Sequence, residues 1–310
     1  ASATAMSTGY KTLNGSVAVK AMPVFERLEN LHDRLGARKA LGLVSTSAVW
    51  DATPAAFVAH APDRKQSRRI ACEMILDSRP EVILGGGAAA FLESAPCPGL
   101  DQDIDLIAKA REEGYQTLYR RGDLTAATAS PKTLGLFAPE SMAWQVERAQ
   151  NSDQPTLTEM SAYALRVLER DPRGFFLMIE GGRIDHAGHE TNLENLLGEM
   201  REFDETVNLA LKWAKERGDT LVIVTADHET GGMEIPPGEY VSGEAVPVNW
   251  TTRDQPGHAS HSSQLVPIWG YGPGAETIRP IMDNTEISCL IDRALSDGPA
   301  PATTWRGKTR

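Results

Sequence analysis

FFLMIEGGRIDHAGHETN, from Phe175 to Asn192, runs an apolar stretch straight into a cluster of acids and histidines. Phe175 to Ile179 has the length and bulk of a buried strand, and Glu180 falls where such a strand would end. In an open parallel sheet the crevice at the carboxyl ends of the strands carries the ligands, because loops there hold polar groups on a rigid support. Gly181 and Gly182 read as a sharp turn, and Asp185 and His189 follow four residues apart. That spacing puts both side chains on one face of a helical turn. A carboxylate and an imidazole so placed suit a divalent transition metal, zinc first, with the open positions filled from elsewhere. Taken alone, the pair is more often a solvated helix face than a metal site. Asp227 and His228 supply the context, since they follow a second strand-like run, Leu221 to Thr225, at another strand exit.

Between the two exits Leu193, Leu196, Leu197, Met200, Phe203, Val207, Ala210, Leu211 and Ala214 recur at helical spacing, with Asn192 as a cap and Gly218 as the stop. The stripe is expected in the core. As a crossover it would make the two strands parallel members of one sheet, joined in the right-handed sense.

Upstream, the first forty residues read as a helical stretch and loop broken at Gly9 and Gly15, leading to a strand at Leu41 to Val44. Asp51 and Thr53 follow that strand, a helix starts at Pro54, and Arg64 closes the segment. From these residues alone, Thr53 is a helix cap and Arg64 a surface cation. Glu81 to Leu92 is a strand, three glycines and a helix; without G-x-G-x-x-G or G-K-[ST] spacing, close packing explains the glycines better than a nucleotide does. Helices are expected at Asp101 to Gly114 and Thr156 to Glu169, and a strand at Leu134 to Phe137. A polar surface excursion spans about residues 231–257. His258 and His261 then precede a strand at Leu265 to Trp269, and a last helix runs from Glu286 to Leu295. Residues 297–310 read as a disordered tail after a single domain over 1–296.

Composition narrows the function classes. A chain of 310 residues with 41% hydrophobic and 24% charged side chains can bury the core of a large α/β domain. Its net charge of -11, with scattered cations, argues against a nucleic-acid surface. No apolar run approaches the roughly 20 residues of a membrane span, and ASATAMSTGYKT is not a signal peptide. Cys72, Cys97 and Cys289 follow no metal-type spacing and allow at most one internal disulfide.

LVSTSAVWDATPAAFVAH, IEGGRIDHAGHETN, VTADHETGG and HSSQLVPIWGYGPG, in this order, resemble the alkaline phosphatases over most of the chain. The resemblance implies a three-layer α/β sandwich with a central, mostly parallel sheet, and a site with two zinc ions and one magnesium. By the same resemblance Asp185, His189 and His261 hold the first zinc, with His258 as the fallback for the last. Asp227 and His228 ligate the second zinc, Glu180 and Thr53 the magnesium, Arg64 grips the phosphate, and Asp51 and His186 stand just behind. The implied chemistry is hydrolysis of small phosphate monoesters through a phosphoserine. The opening ASATAMSTGYKT resembles the continuation of the family's nucleophile motif, which places the serine shortly upstream of Ala1, together with a strand whose aspartate bridges two metals. Ser2 and Thr4 do not match the nucleophile. A periplasmic or secreted location and homodimerisation are family expectations. The other readings are a phosphodiesterase or metal-dependent mutase of the same superfamily, and a non-catalytic binder of metal or phosphate.

Overall fold

The computed structural model describes residues 1–20, 25–128, 130–150, 153–240 and 246–296, so the tail read at 297–310 lies outside the described residues. Five parallel strands form the main sheet. In chain order they are β1 (Ala40–Ala48), β2 (Val82–Gly86), β3 (Gln116–Leu118), β4 (Thr133–Leu136) and β5 (Phe175–Glu180), arranged spatially as β3-β4-β2-β1-β5. β1 is buried along its whole length, as expected of a strand covered on both faces.

Two cores lie on opposite sides of this sheet. Leu41, Leu43, Ile83 and Met178 pack on one side with α1 (Ser2–Thr8), α2 (Leu31–Leu35), α3 (Ala52–Val58), α4 (Ser67–Glu73) and α11 (Glu286–Leu295). Val44, Val82 and Leu84 pack on the other with Leu157, Met160, Tyr163 and Leu168 of α8 (Leu157–Leu168). Between them in chain order run α5 (Ala88–Leu92), α6 (Leu106–Glu112) and α7 (Gln145–Arg148). The result is the three-layer α/β sandwich expected from the sequence, with α8 started by a Thr156–Glu159 capping box.

Glycines let these layers approach. A Cβ on Gly42 would stand 2.7 Å from Leu168 Cδ1, and one on Gly86 only 2.0 Å from the Glu140 carbonyl oxygen. The Gly87 amide donates to the carbonyls of Ala138 (3.0 Å) and Glu140 (2.7 Å), so it has no proton to offer a phosphate.

Several sequence expectations need correction. β6 (Val222–Thr225) does not join β5 in one sheet; it pairs antiparallel with β7 (Ile268–Tyr271). β7 itself starts three residues later than expected, because Leu265 to Pro267 are irregular. The crossover helix α10 (Leu193–Arg217) is capped by Asn192 and ended by Gly218 at φ 76, as read. Its burial, however, follows the apolar stripe only in part: Ala214 is buried and Phe203 packs on the core, but most of the buried positions are polar or glycine. The buried positions are Asn195, Gly198, Glu199, Glu202, Thr206 and Ala214, while Leu197 and Met200 are 44% and 45% exposed. The polar face is drawn inward by Arg148, which donates to Glu202 and lies 3.6 Å from Glu199. Burial pushes both carboxyls up, Arg148 opposing it. The outer edge of β5 has no strand partner among the described residues.

Cys72 and Cys97 form a disulfide linking α4 to the segment after α5, and Cys289 is free. Their separation of 25 residues predicts that Cys97→Ser lowers unfolding free energy by about 3 kcal/mol. Urea unfolding of the two proteins at equal slope checks this; an unchanged midpoint would show that the crosslink does not restrain the unfolded chain.

Candidate metal centre

β1 and β5 are in parallel register from Ala40 opposite Phe175 to Ser45 opposite Glu180. That register brings the exits of both strands together. The Glu180 carboxylate accepts hydrogen bonds from Ser45 Oγ at 2.5 Å, from Ser47 Oγ at 3.3 Å and from the Thr53 hydroxyl. Burial pushes its pKa up to about 7; Ser45 and Thr53 hold it down, while Asp51 and Asp227 press it up. Ser45 and Ser47 were not singled out in the sequence, although hydroxyls at the end of so apolar a strand are the signal that could have found them.

Gly181 and Gly182 do not make a left-handed turn. Gly182 has φ -65, and its role is close approach: a Cβ there would lie 2.7 Å from Ser47 Oγ. The chain goes directly into α9 (Arg183–His189), which puts Asp185 and His189 on one face as their spacing demands. His189 Nδ1 donates to the Ala259 carbonyl at 2.6 Å, so its Nε2 carries the lone pair and points into the cluster.

His261 arrives from far along the chain. The short pairing of Glu229–Thr230 with His261–Ser262 sets Thr230 opposite His261. Asp185 Oδ1 is then 3.4 Å from His189 Nε2 and 3.4 Å from His261 Nε2, and the two imidazole nitrogens are 3.0 Å apart. Donors bonded to one tetrahedral zinc at about 2.0–2.1 Å stand about 3.3 Å from each other. This triangle therefore fits zinc with a fourth position left open. His258 behaves differently: its Nδ1 lies 2.7 Å from Asp254, and its ring only stacks near His189. Burial alone would raise the Asp185 pKa, but the Thr230 hydroxyl and the charges of His189, His228 and His261 bring it below the usual range. Burial, then His228, hold His261 below its ordinary value, in the neutral form that a ligand needs.

His228 stacks on His261 with ring centroids 3.7 Å apart and has Nε2 3.2 Å from Asp227 Oδ2. Ligand atoms of Asp185, His228 and His261 also lie within 4.8 Å of one another, so the Asp227–His228 pair adjoins the first triangle. Thr230, unread in the sequence, donates to Asp185 and touches His228 Nδ1 at 3.2 Å.

Asp51, not Thr53, is the N-cap of α3, its Oδ1 accepting from Ala52 N at 2.7 Å. The same oxygen accepts from Arg64, whose side chain is 48% exposed. The backbone nitrogen of Ala1 lies within electrostatic reach of both Arg64 and Asp227. His186 Nδ1 accepts from Arg183 at 3.0 Å, and that guanidinium lies 3.4 Å from the centre of the Trp144 ring. Burial, then Arg183, keep His186 below its usual range.

A family model described as alkaline phosphatase matches residues 1–256. Alkaline phosphatase H of Pseudomonas aeruginosa is 34% identical over 96% of this chain and 72% of its own length. Among solved structures, the cold-active alkaline phosphatase of a psychrophilic Shewanella superposes with a TM-score of 0.81 at 27% identity, covering 96% of this chain and 85% of that one. A magnesium-bound variant of the alkaline phosphatase from the Antarctic bacterium TAB5 superposes at 0.80 with 30% identity, over 95% of this chain and 82% of its own.

The donor triangle predicts a sharp difference between the two late histidines. After dialysis, His261→Ala should lose tightly held zinc, by more than the roughly 10–100-fold that loss of an outer-shell partner costs. His258→Ala should keep it. Metal analysis that finds the opposite order would reject the triangle.

Proposed function

The chain belongs to the alkaline phosphatase family, and on that premise we propose that it hydrolyses small phosphate monoesters at a centre of two zinc ions and one magnesium. The observation that carries the reading is the triangle of Asp185, His189 and His261, with edges of 3.0–3.4 Å. These residues would hold the first zinc. Asp227 and His228 would contribute to the second, and Glu180 with Thr53 would hold the magnesium. When bound, the zinc ions supply Lewis-acid activation of a hydroxyl nucleophile and stabilisation of the leaving oxygen.

The remaining residues position the phosphate. Arg64 offers a planar fork to two phosphate oxygens, and Asp51 orients it by accepting one of its protons. Half-exposure keeps the fork within reach of a substrate. Arg183, stacked on Trp144, donates to His186 Nδ1 and so leaves the proton of the neutral ring on Nε2.

We place the nucleophile, a serine hydroxyl that takes the phosphoryl group and passes it to water, ahead of Ala1. Support comes from the nitrogen of Ala1, which stands near Arg64 and Asp227. Thr4 is engaged elsewhere: its buried hydroxyl accepts from Ala18 N at 3.1 Å. The open edge of β5, the half-exposed stripe of α10 and the separation of β6 from the main sheet are what an additional strand would cover. An aspartate at the end of that strand would complete the second zinc and the magnesium. The Cys72–Cys97 disulfide supports a location in an oxidising compartment, periplasmic or secreted. No helix among the described residues is long and apolar enough to cross a membrane. A homodimer belongs to the same reading, and sedimentation of the natural protein checks it.

In the natural full-length protein, a chelator should abolish monoester hydrolysis and zinc should restore it. Hydrolysis of a diester faster than the matching monoester would overturn the proposal. Arg64→Ala should lower kcat/KM by about 10²-fold and weaken inhibition by phosphate with zinc content unchanged. Arg64→Lys should recover only part, because a point charge cannot replace the fork.

A further inference from the structure

His60 stands between Thr53 and Arg64 and is only 3% exposed. Both of its ring nitrogens face acceptors. Nε2 is 3.0 Å from the Leu28 carbonyl and 3.1 Å from Asp33 Oδ2, and Nδ1 is 3.3 Å from Glu73 Oε2. A neutral imidazole can donate from one nitrogen only, so this environment calls for the doubly protonated ring. The backbone is fixed at the same point: His60 N donates to Glu73 Oε2 at 2.8 Å, and the His60 carbonyl accepts from Arg69 Nε at 3.1 Å.

From that anchor the chain runs outward to Arg64, tied on the way to residues 15–17, where Ser16 Oγ donates to the Pro62 carbonyl at 3.3 Å. Ala61 exchanges hydrogen bonds with Val17 at 2.9 and 3.0 Å, and Arg64 N donates to the Gly15 carbonyl at 2.7 Å. Asp63, Arg64 and Lys65 are exposed. Asp51 orients the tip of the Arg64 side chain, and the four-residue tether Ala61 to Arg64, whose buried end His60 helps to hold, sets where that side chain starts.

We infer that His60, clamped as an imidazolium between Asp33 of α2 and Glu73 of α4, is a positioning residue for Arg64, and that loss of its second proton loosens the phosphate grip. This rests on the reading of Arg64 as the phosphate-binding residue. The charged and titratable groups around the ring are Asp33 and His32 on α2, Glu73 and Arg69 on α4, and Arg27, which donates to Glu73 Oε1 at 2.8 Å. Two carboxylates thus face the imidazolium directly; Arg27 pairs with Glu73, and Arg69 pairs with Glu73 and also binds the His60 carbonyl. Burial alone would lower the His60 pKa, but hydrogen bonds to Asp33 and Glu73 bring it up to about 9. Because the folded value lies above the ordinary 6.5, the contribution is complete below about pH 6.5 and lost as pH rises through about 9. The tether would then loosen within the alkaline range.

The test is the affinity of the zinc-loaded natural full-length protein for inorganic phosphate, measured by calorimetry between about pH 7 and about pH 10.5. Affinity should fall about tenfold through a step centred near pH 9. In Glu73→Gln and in Asp33→Asn that step should move down by about one pH unit, because one of the two carboxylates that hold the proton is gone. Zinc content should not change. His60→Gln should bind phosphate about tenfold more weakly at neutral pH and show no step; if it fails to fold, the two carboxylate variants decide. A step that stays in place in both belongs to the metal centre and overturns the inference, as does the absence of any step. Arg64→Ala separates the two readings. If it binds phosphate as well as the wild type, the role of Arg64 is wrong; if it binds weakly while the carboxylate variants shift nothing, only the role of His60 is.

Discussion

The parallel pairing of β1 with β5 is the constraint on which the site depends. With Ser45 opposite Glu180, the hydroxyls of Ser45 and Ser47 meet a carboxylate that would otherwise enter the sheet end without partners. A slip of one residue would turn Met178 from one core to the other and take Glu180 away from both serines. Gly42, hemmed in by Leu168 and Leu177, lets the helix layer lie close enough to hold that register. The metal-facing geometry is thus a consequence of packing several residues away from it.

Charge is the second constraint. Asp51, Glu180, Asp185 and Asp227 gather at the strand exits, and Asp51 and Asp227 each press on the proton of Glu180. Carboxylates so close are relieved either by a proton, as on Glu180, or by cations among them. Arg64 neutralises Asp51, and histidines whose Nε2 atoms point into the cluster stand beside the others. On α10 the same problem is closed by protein alone, since Arg148 sits against Glu199 and Glu202. The contrast separates an ionic cluster closed by its own arginine from a cluster of acids and histidines whose donor atoms face one another.

The burial of α10 follows from these two constraints. With Arg148 holding the polar face inward, Leu197 and Met200 are left half-exposed. An amphipathic helix ordinarily turns its apolar stripe to the core; here a buried ion cluster overrides that tendency in part.

The sequence by itself determined the elements and the local pairs. Length and bulk marked the strand from Phe175 to Ile179 with Glu180 at its end, the last helix was read at Glu286–Leu295 where it is found, and the four-residue spacing of Asp185 and His189 dictated a shared helical face. Such features are legible because they depend on residues close together in the chain. Which strands pair, and which side chains meet, were decided only by tertiary structure. Nothing local told that β6 would pair with β7 rather than join β5, or that Ser45, Ser47 and Thr230 would hold the acids. His261 reaches His189 only because Thr230 pairs with it, and His60 meets Asp33 and Glu73 from two other helices. These contacts join residues far apart in sequence, whose meeting is set by the competition of whole layers for burial, and a linear pattern does not carry that information.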